Sequence, residues 1–142
     1  MARILVTKLG LDGHDVGCKI IAVEARDAGH EVVYLGIRQS VESVTRAAVD
    51  EGVDVVAVSM LSGAHSILLP RLVDSLRSNE VDAPIVVGGM IPKADVPALL
   101  AAGVTAVIDA GVSGPEAVRQ LEATLTGPVS GATPPTTKGP SR

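Results

Sequence analysis

Hydrophobic and polar positions repeat in one kind of unit along this chain of 142 residues. Each unit begins with a short run rich in β-branched residues, passes through a glycine-bearing connection, and continues with apolar residues at helical spacing. The runs are Arg3 to Leu9, Glu31 to Leu35, Asp54 to Ser59, Pro84 to Val87 and Thr105 to Ile108. Strands that alternate with helices in this way predict five βα units.

Glycine and serine mark the predicted helix ends. Gly29, Gly52 and Gly103 each follow a helical stretch, where a left-handed residue commonly closes a helix. Ser113 and Glu116 have the spacing of a capping box before the last helix. Pro115 would lie in the first turn of that helix, where a missing N–H is harmless.

The predicted sheet is parallel, because the third and fourth runs read as the continuous apolar segments of strands that are buried on both faces. The fold class is therefore α/β, a doubly wound five-stranded parallel sheet. We favour the flavodoxin-like (Rossmann-like) order 2-1-3-4-5 over a half-Rossmann arrangement. In either order, ligands bind beyond the carboxyl ends of the strands, here at the switch point between strands 1 and 3.

Composition narrows the classes of function. Tyr34 is the one aromatic residue and the formal charge is −4, which argues against nucleic-acid partners. No apolar run approaches the roughly 18 to 20 residues of a membrane-spanning helix. Met1 leads into an apolar run without the features of a signal peptide, and Cys18 is the only cysteine, so we expect a cytoplasmic protein. We interpret Cys18 itself as a small packing residue.

The chain divides into a domain over residues 1–126 and a tail over residues 127–142. The tail holds four of the nine prolines and almost no large apolar residue. This composition predicts a disordered segment rich in proline, glycine and threonine.

The unusual residues follow strands 1, 3 and 4 and therefore meet at one edge of the sheet. They are the segment 10–17, the segment 59–63 and the pair Gly88 and Gly89. A receiver domain would need an aspartate at the position of Ser59, and the glycines of segment 10–17 do not spell a dinucleotide fingerprint. A flavodoxin would need a hydroxyl-rich phosphate loop after strand 1, which is absent from the sequence.

Segment 10–17 offers one imidazole, His14, with a carboxylate, Asp12, two residues before it. A metal-ligating histidine commonly donates its second N–H to a carboxylate. One histidine cannot hold a zinc ion, which needs three or four protein ligands. We therefore expect any metal to arrive already coordinated, as in a macrocycle with one open axial position.

These residues resemble the cobalamin-binding domain of adenosylcobalamin-dependent acyl-CoA mutases and of related methyltransferases. The family pattern DxHxxG, then SxL, then GG is matched by Asp12, His14 and Gly17, by Ser59 and Leu61, and by Gly88 and Gly89. The resemblance covers residues 3 to about 125. Segments 8–15 and 89–92 are particularly similar to the methylmalonyl-CoA mutase branch and to small subunits such as that of 2-hydroxyisobutyryl-CoA mutase.

The resemblance implies that adenosylcobalamin is the cofactor and that His14 is the lower axial ligand of its cobalt. Asp12 would orient His14, and Lys8 would bond to Asp12, although a solvated lysine at a strand end is an open alternative. Ser59 would bond the displaced nucleotide tail between strands 1 and 3, unless its hydroxyl is satisfied by backbone. The implied cofactor-binding residues are Asp12, Gly13, His14, Asp15, Val16, Gly17, Ser59, Leu61, Ser62, Gly63, Gly88, Gly89 and Met90.

The implied function is that of a cobalamin-binding subunit, inactive without a large (β/α)8-barrel subunit that binds acyl-CoA. The alternatives are a stand-alone corrinoid carrier or regulator and a corrinoid methyltransferase module. A G-protein chaperone is a further candidate partner. Residues 107–113 depart from the family pattern after strand 5, so the resemblance does not specify which acyl-CoA is the substrate. We expect His65 to face the surface or a partner, and His30 to have no functional role.

Overall fold

The computed structural model describes residues 2–9, 16–60, 65–89, 91–109 and 111–126. Five strands and five helices alternate within these residues. The strands are β1 (Arg3–Leu9), β2 (Glu31–Gln39), β3 (Val55–Met60), β4 (Ile85–Gly89) and β5 (Ala106–Asp109). The helices are α1 (Val16–Asp27), α2 (Val41–Glu51), α3 (His65–Ser78), α4 (Val96–Ala101), preceded by a 3-10 turn at Lys93–Asp95, and α5 (Gly114–Thr126).

All described strand pairs are parallel, and the order of the sheet is β2-β1-β3-β4-β5. The predicted flavodoxin-like order is therefore confirmed. The change of direction that this order requires lies at β1, between β2 on one side and β3 on the other. Ligands of such folds bind beyond the carboxyl ends of the strands at this point.

Two aliphatic cores cover the two faces of the sheet. The first core packs α2, α3 and α4 against residues such as Leu5, Val56 and Val87. The second core packs α1 and α5 against the alternate residues, such as Val6, Ala57 and Val86. Because successive strand side chains point to opposite faces, every second position of β1, β3 and β4 faces the layer of α1 and α5.

The predicted helix ends agree with the structure. Gly29, Gly52 and Gly103 have φ of 96°, 60° and 115°, the left-handed conformation expected after a helix. Ser113 caps α5, because its hydroxyl accepts a hydrogen bond from the backbone N–H of Glu116 at 3.2 Å. The Glu116 carboxylate bonds Arg119 and Gln120, so the reciprocal half of the predicted capping box is replaced by contacts within the helix.

The second strand is longer than the sequence predicted, since it runs past Leu35 to Gln39. The pairing of β1 with β2 shifts register between Val6 and Thr7 and again between Thr7 and Leu9. Gly36 and Arg38 adopt positive φ of 96° and 58° at these shifts. The bulged backbone thus continues the ladder beyond the point where the alternating pattern of side chains stops.

The helices of the described residues include none that is long and apolar enough to cross a membrane. Cys18 is buried in the second core, and its thiol donates to the carbonyl of Thr7 at 3.5 Å, in agreement with the predicted packing role. The tail over residues 127–142 lies outside the described residues, so its predicted disorder stays a prediction.

Candidate functional site

The carboxyl ends of the central strands bring three of the predicted site residues into one row. Lys8 of β1 pairs with Ser59 of β3, and Ser59 pairs with Gly88 of β4. The row ends at Ile108 of β5, which pairs with Gly88 and belongs to the second core. The sequence placed these residues at one edge of the sheet, and the register makes Lys8, Ser59 and Gly88 lateral neighbours.

The row faces the layer of α1 and α5. Two residues earlier in the same strands, and on the same face of the sheet, are Val6, Ala57 and Val86, which are buried in the second core. At the level of the row, Ser59 and Gly88 carry little or no side chain and both are partly exposed. The second core therefore gives way at this edge to a low surface of one hydroxyl and bare backbone. A flat ligand group could lie against it.

Gly89 is required by the backbone itself. Its φ is 110°, and a Cβ built on it would collide with the carbonyl oxygen of Met60 on the neighbouring strand. Gly88 is different, because a Cβ there would meet its nearest neighbour, the Ile108 carbonyl oxygen, at 3.8 Å, an ordinary contact. Packing of the fold therefore does not require a glycine at position 88. The missing side chain is instead what a surface that receives a ligand would need.

Lys8 is fully buried, with 0% of its surface exposed. The alternative of a solvated lysine at the strand end is therefore wrong. A buried ammonium group is stable when a carboxylate or several acceptors compensate its charge. Asp12 is the counter-charge that the sequence predicts.

Most of the other predicted site residues fall outside the described residues. They are Asp12, Gly13, His14, Asp15, Leu61, Ser62, Gly63 and Met90. Val16 and Gly17 are the first two residues of α1. The roles of this set stay predictions.

The pairing of β1 with β3 bears on the path expected for a nucleotide tail. Lys8 and Ser59 are direct partners in a regular parallel ladder. No group can pass between two strands that share backbone hydrogen bonds, so the expectation of a tail threaded between strands 1 and 3 is wrong in its literal form. Ser59 can be reached from the face that α1 and α5 cover, or from the open edge.

Residues 107–109 and 111–113, the described part of the segment that departs from the family pattern, lie in and after β5. Asp109 pairs with Gly89 and has an exposed side chain. Val112 packs against the second core, and its backbone N–H donates to the carbonyl of Asp109 at 3.3 Å. An aliphatic residue and a carboxylate thus stand beside the outer end of the row.

The sequence interpretation missed a polar pair at this edge. His65 begins α3 and is only 5% exposed, so the expected surface position is wrong. Its Nε2 lies 2.7 Å from Oδ2 of Asp95, in the turn that follows β4. The separation of thirty residues hides the pair from any motif. The one signal was the position of His65 directly after the glycine-bearing end of strand 3.

Comparison with known proteins identifies the family. The family model described as "B12 binding domain" matches residues 2–119. The chain belongs to the B12-binding domain family. The matched range contains the whole row of Lys8, Ser59 and Gly88 and the whole of the first core.

Several relatives of this B12-binding domain are mutase subunits. The chain is 42% identical over 122 residues to the pivalyl-CoA mutase small subunit of Xanthobacter autotrophicus, covering 85% of this chain and 82% of the relative. It is 39% identical over 107 residues to the 2-hydroxyisobutanoyl-CoA mutase small subunit of Aquincola tertiaricarbonis, covering 75% and 79%. The methylmalonyl-CoA mutase large subunit of Streptomyces virginiae is 44% identical over 120 residues, which make up 84% of this chain but 16% of that protein.

Solved structures confirm the fold of the domain. A cobalamin-binding protein from Desulfitobacterium hafniense DCB-2 superposes with a TM-score of 0.75 at 21% identity, covering 87% of this chain and 58% of that chain. The receiver domain of the response regulator NarL from Mycobacterium tuberculosis superposes with a TM-score of 0.69 at 14% identity, covering 89% and 97%. Proteins of different function thus share this fold and differ in the residues at the edge of the sheet.

The relatives decide between the interpretations that the sequence left open. The predicted family, the cobalamin cofactor and the class of an acyl-CoA mutase subunit are confirmed, and this class is favoured over a stand-alone carrier or a methyltransferase module. The identity of the axial ligand, the acyl-CoA and the form of the partner are separate questions.

Proposed function

We propose that this chain is the subunit that holds adenosylcobalamin for a branched acyl-CoA carbon-skeleton mutase, with His14 as the lower axial ligand of cobalt. The observation that carries the proposal is the row of Lys8, Ser59 and Gly88 at the ligand edge, within the range matched by the B12-binding family. A buried ammonium, one hydroxyl and bare backbone fit a ligand group that lies flat on the strand ends.

Each residue of the site has a separate task. His14 would coordinate the metal through one ring nitrogen and donate its other N–H to Asp12, which fixes the tautomer and raises the basicity of the imidazole. Lys8, buried beneath this edge, would hold the Asp12 carboxylate in its charged form. Ser59 would donate a hydrogen bond to an acceptor of the nucleotide tail, and the backbone at Gly88 and Gly89 would contact the tail.

The remaining predicted cofactor residues would complete the cradle around the same edge. Gly17 lies in the first turn of α1, whose backbone N–H groups suit a phosphate. Val16 lies in the same first turn, and Gly13, Asp15, Leu61, Ser62, Gly63 and Met90 follow strands 1, 3 and 4 in the sequence. We propose that residues 1–126 form the whole of this cofactor domain, with residues 127–142 as a disordered tail.

Adenosylcobalamin, when bound, supplies radical chemistry through homolysis of its cobalt–carbon bond. We propose that the acyl-CoA binds to a larger partner with a (β/α)8 barrel, a fold of about 250 residues. The relatives named as small subunits support this division of labour. A G-protein chaperone is a further partner to test, and a cytoplasmic location fits the single cysteine.

The axial ligand is tested by absorbance spectroscopy of the full chain with adenosylcobalamin. We expect the wild-type protein to give a base-off, histidine-ligated spectrum, and His14→Ala to lose the histidine ligation. His30→Ala is the matched control, because His30 lies near the opposite end of the sheet. An unchanged base-on spectrum of the wild-type protein would refute the proposal.

The mutase activity is tested by co-purification and assay. We expect a large subunit to co-purify with the chain, and the pair to rearrange a branched acyl-CoA that neither subunit rearranges alone. Assays against several branched acyl-CoA esters would identify the substrate. Failure to recover any large subunit would argue for the stand-alone carrier instead.

A further inference from the structure

His65 and Asp95 form a side-chain contact between the elements that follow β3 and β4. His65 is the first residue of α3, and Asp95 ends the 3-10 turn before α4. The side chain of His65 is 6% exposed, whereas that of Asp95 is 43% exposed. The contact therefore reaches from a buried imidazole to a carboxylate at the surface of the ligand edge.

A second contact lies beneath this pair. Gly89 approaches the backbone of Met60 so closely that no side chain fits between β4 and β3. Two backbone hydrogen bonds follow Gly89: the N–H of Ile91 donates to the Gly89 carbonyl at 3.0 Å, and the N–H of Asp95 donates to the Pro92 carbonyl at 2.9 Å. The contact between His65 and Asp95 then connects this segment to α3, the helix that follows β3.

The chemistry of the pair fixes the imidazole. A carboxylate only accepts hydrogen bonds, so Nε2 of His65 carries the proton that it donates to Asp95. The ring is then held in one tautomer and one orientation, as second-sphere carboxylates hold functional histidines. Its Nδ1 is buried and has no hydrogen-bond partner among the described residues.

We infer that His65 and Asp95 are positioning residues for cofactor binding: their bond holds the start of α3 against the turn before α4, the two elements that follow the strand ends carrying Ser59 and Gly88. This inference rests on the proposed function, because it assigns the pair a role toward the same cofactor. The bond between Nε2 and the carboxylate carries the effect.

The test measures the dissociation constant for adenosylcobalamin by absorbance titration of the full chain at low temperature, and the urea midpoint of the cofactor-free protein. We expect Asp95→Ala to weaken binding about tenfold, the equivalent of one net hydrogen bond. Asp82→Ala removes the same charge from an exposed site before β4, at the opposite edge, and should bind like the wild type.

The bond itself is tested by conservative replacement. His65→Gln places an amide N–H near the position of Nε2 and should retain affinity within about twofold, whereas His65→Asn places its amide near Nδ1 and should bind about as weakly as Asp95→Ala. A glutamine variant that binds as weakly as the asparagine variant would overturn the assignment to Nε2. If the His65 variants do not fold, Asp95→Ala alone carries the test.

The outcomes separate this inference from the proposed function. Wild-type protein that does not bind adenosylcobalamin would refute the proposed function. Wild-type protein that binds, together with Asp95→Ala that binds equally tightly, would overturn the positioning role alone. A lower urea midpoint of Asp95→Ala with unchanged affinity would also overturn it, because the pair would then be merely structural.

Discussion

Gly88 and Gly89, at the end of β4, lack a side chain for different physical reasons. The position of Gly89 is set by the fold, since its positive φ and the Met60 backbone exclude any side chain. Gly88 has room for a methyl group, so its lack of a side chain points toward a ligand. A sequence pattern of two glycines does not distinguish these reasons, whereas one measurement of stability and one of affinity do.

Substitution of each glycine by alanine should separate the two demands. We expect Gly89→Ala to lower the free energy of unfolding by about 3 kcal/mol, because strain and overpacking add. Gly88→Ala should change it by less than about 1 kcal/mol but weaken adenosylcobalamin binding severalfold. Urea denaturation and absorbance titration measure the two effects. Equal loss of stability in both variants would contradict this distinction.

Lys8 shows what a residue type leaves open. The sequence allowed either a solvated lysine or a partner of Asp12, because a strand end can lie at the surface or under a connection. The complete burial of Lys8 excludes the solvated alternative. Burial depends on which segments cover the strand end, which local pattern does not encode.

At the scale of elements, α5 is held at both ends by polar contacts. At its C-terminal half, Glu122 lies 2.7 Å from Nε2 of His30. The Nδ1 of His30 accepts a hydrogen bond from the backbone N–H of Ala2 at 3.0 Å, so His30 links the start of β1 to α5. The expectation that His30 has no functional role is compatible with this structural one.

Removal of this contact should cost stability without affecting the ligand edge. We expect Glu122→Ala to lower the free energy of unfolding by about 1 kcal/mol, the net value of a typical hydrogen bond. Glu51→Ala, at the exposed end of α2, is the control and should stay within about 0.5 kcal/mol of the wild type. Urea denaturation measures both. An equal effect of the two substitutions would show that His30 gains nothing from Glu122.

The first turn of α5 contains a carboxylate, Glu116, that accepts hydrogen bonds from two side chains of the same helix. Hydrogen bonds from Gln120 and then from Arg119 lower the pKa of Glu116 below its ordinary value. Because the folded-state pKa is the lower one, the contribution of these bonds to stability is present above the unfolded-state pKa. It is lost as the pH falls through the folded-state pKa.

An NMR titration of the Glu116 carboxyl group should show this lowered pKa. We expect Gln120→Ala to raise the pKa toward the ordinary value, because the largest cause of the shift is removed. Gln39→Ala, in β2, is the matched control and should leave the titration of Glu116 unchanged. A Gln120→Ala variant with the wild-type titration curve would contradict the assignment of the cause.

At the scale of the whole molecule, cofactor binding and folding should be linked. A ligand that binds only the folded chain raises the free energy of unfolding by about 2.7 kcal/mol at one hundred times its dissociation constant. We expect this rise for the wild-type protein in urea with adenosylcobalamin, and a smaller rise for His14→Ala at the same concentration. A wild-type urea midpoint that does not change when adenosylcobalamin is added would contradict a binding site that exists only in the folded chain.

The sequence by itself determined the strand and helix order and the topology of the sheet, and it predicted the edge at which the candidate site lies. It did so because buried parallel strands, helix ends and a family motif all leave local patterns. The end of β2 escaped prediction because bulges at Gly36 and Arg38 extend pairing without alternation. Here the partner strand, and not the local pattern, sets the boundary.

Only the tertiary structure decided which residues of the edge meet. The row of Lys8, Ser59 and Gly88 depends on strand register, and the bond of His65 with Asp95 depends on how two connections pack thirty residues apart. Register and packing are set by the combined burial of two cores, which is a property of the assembled sheet. The residue types were readable in the sequence, whereas their burial, spacing and partners arose on folding.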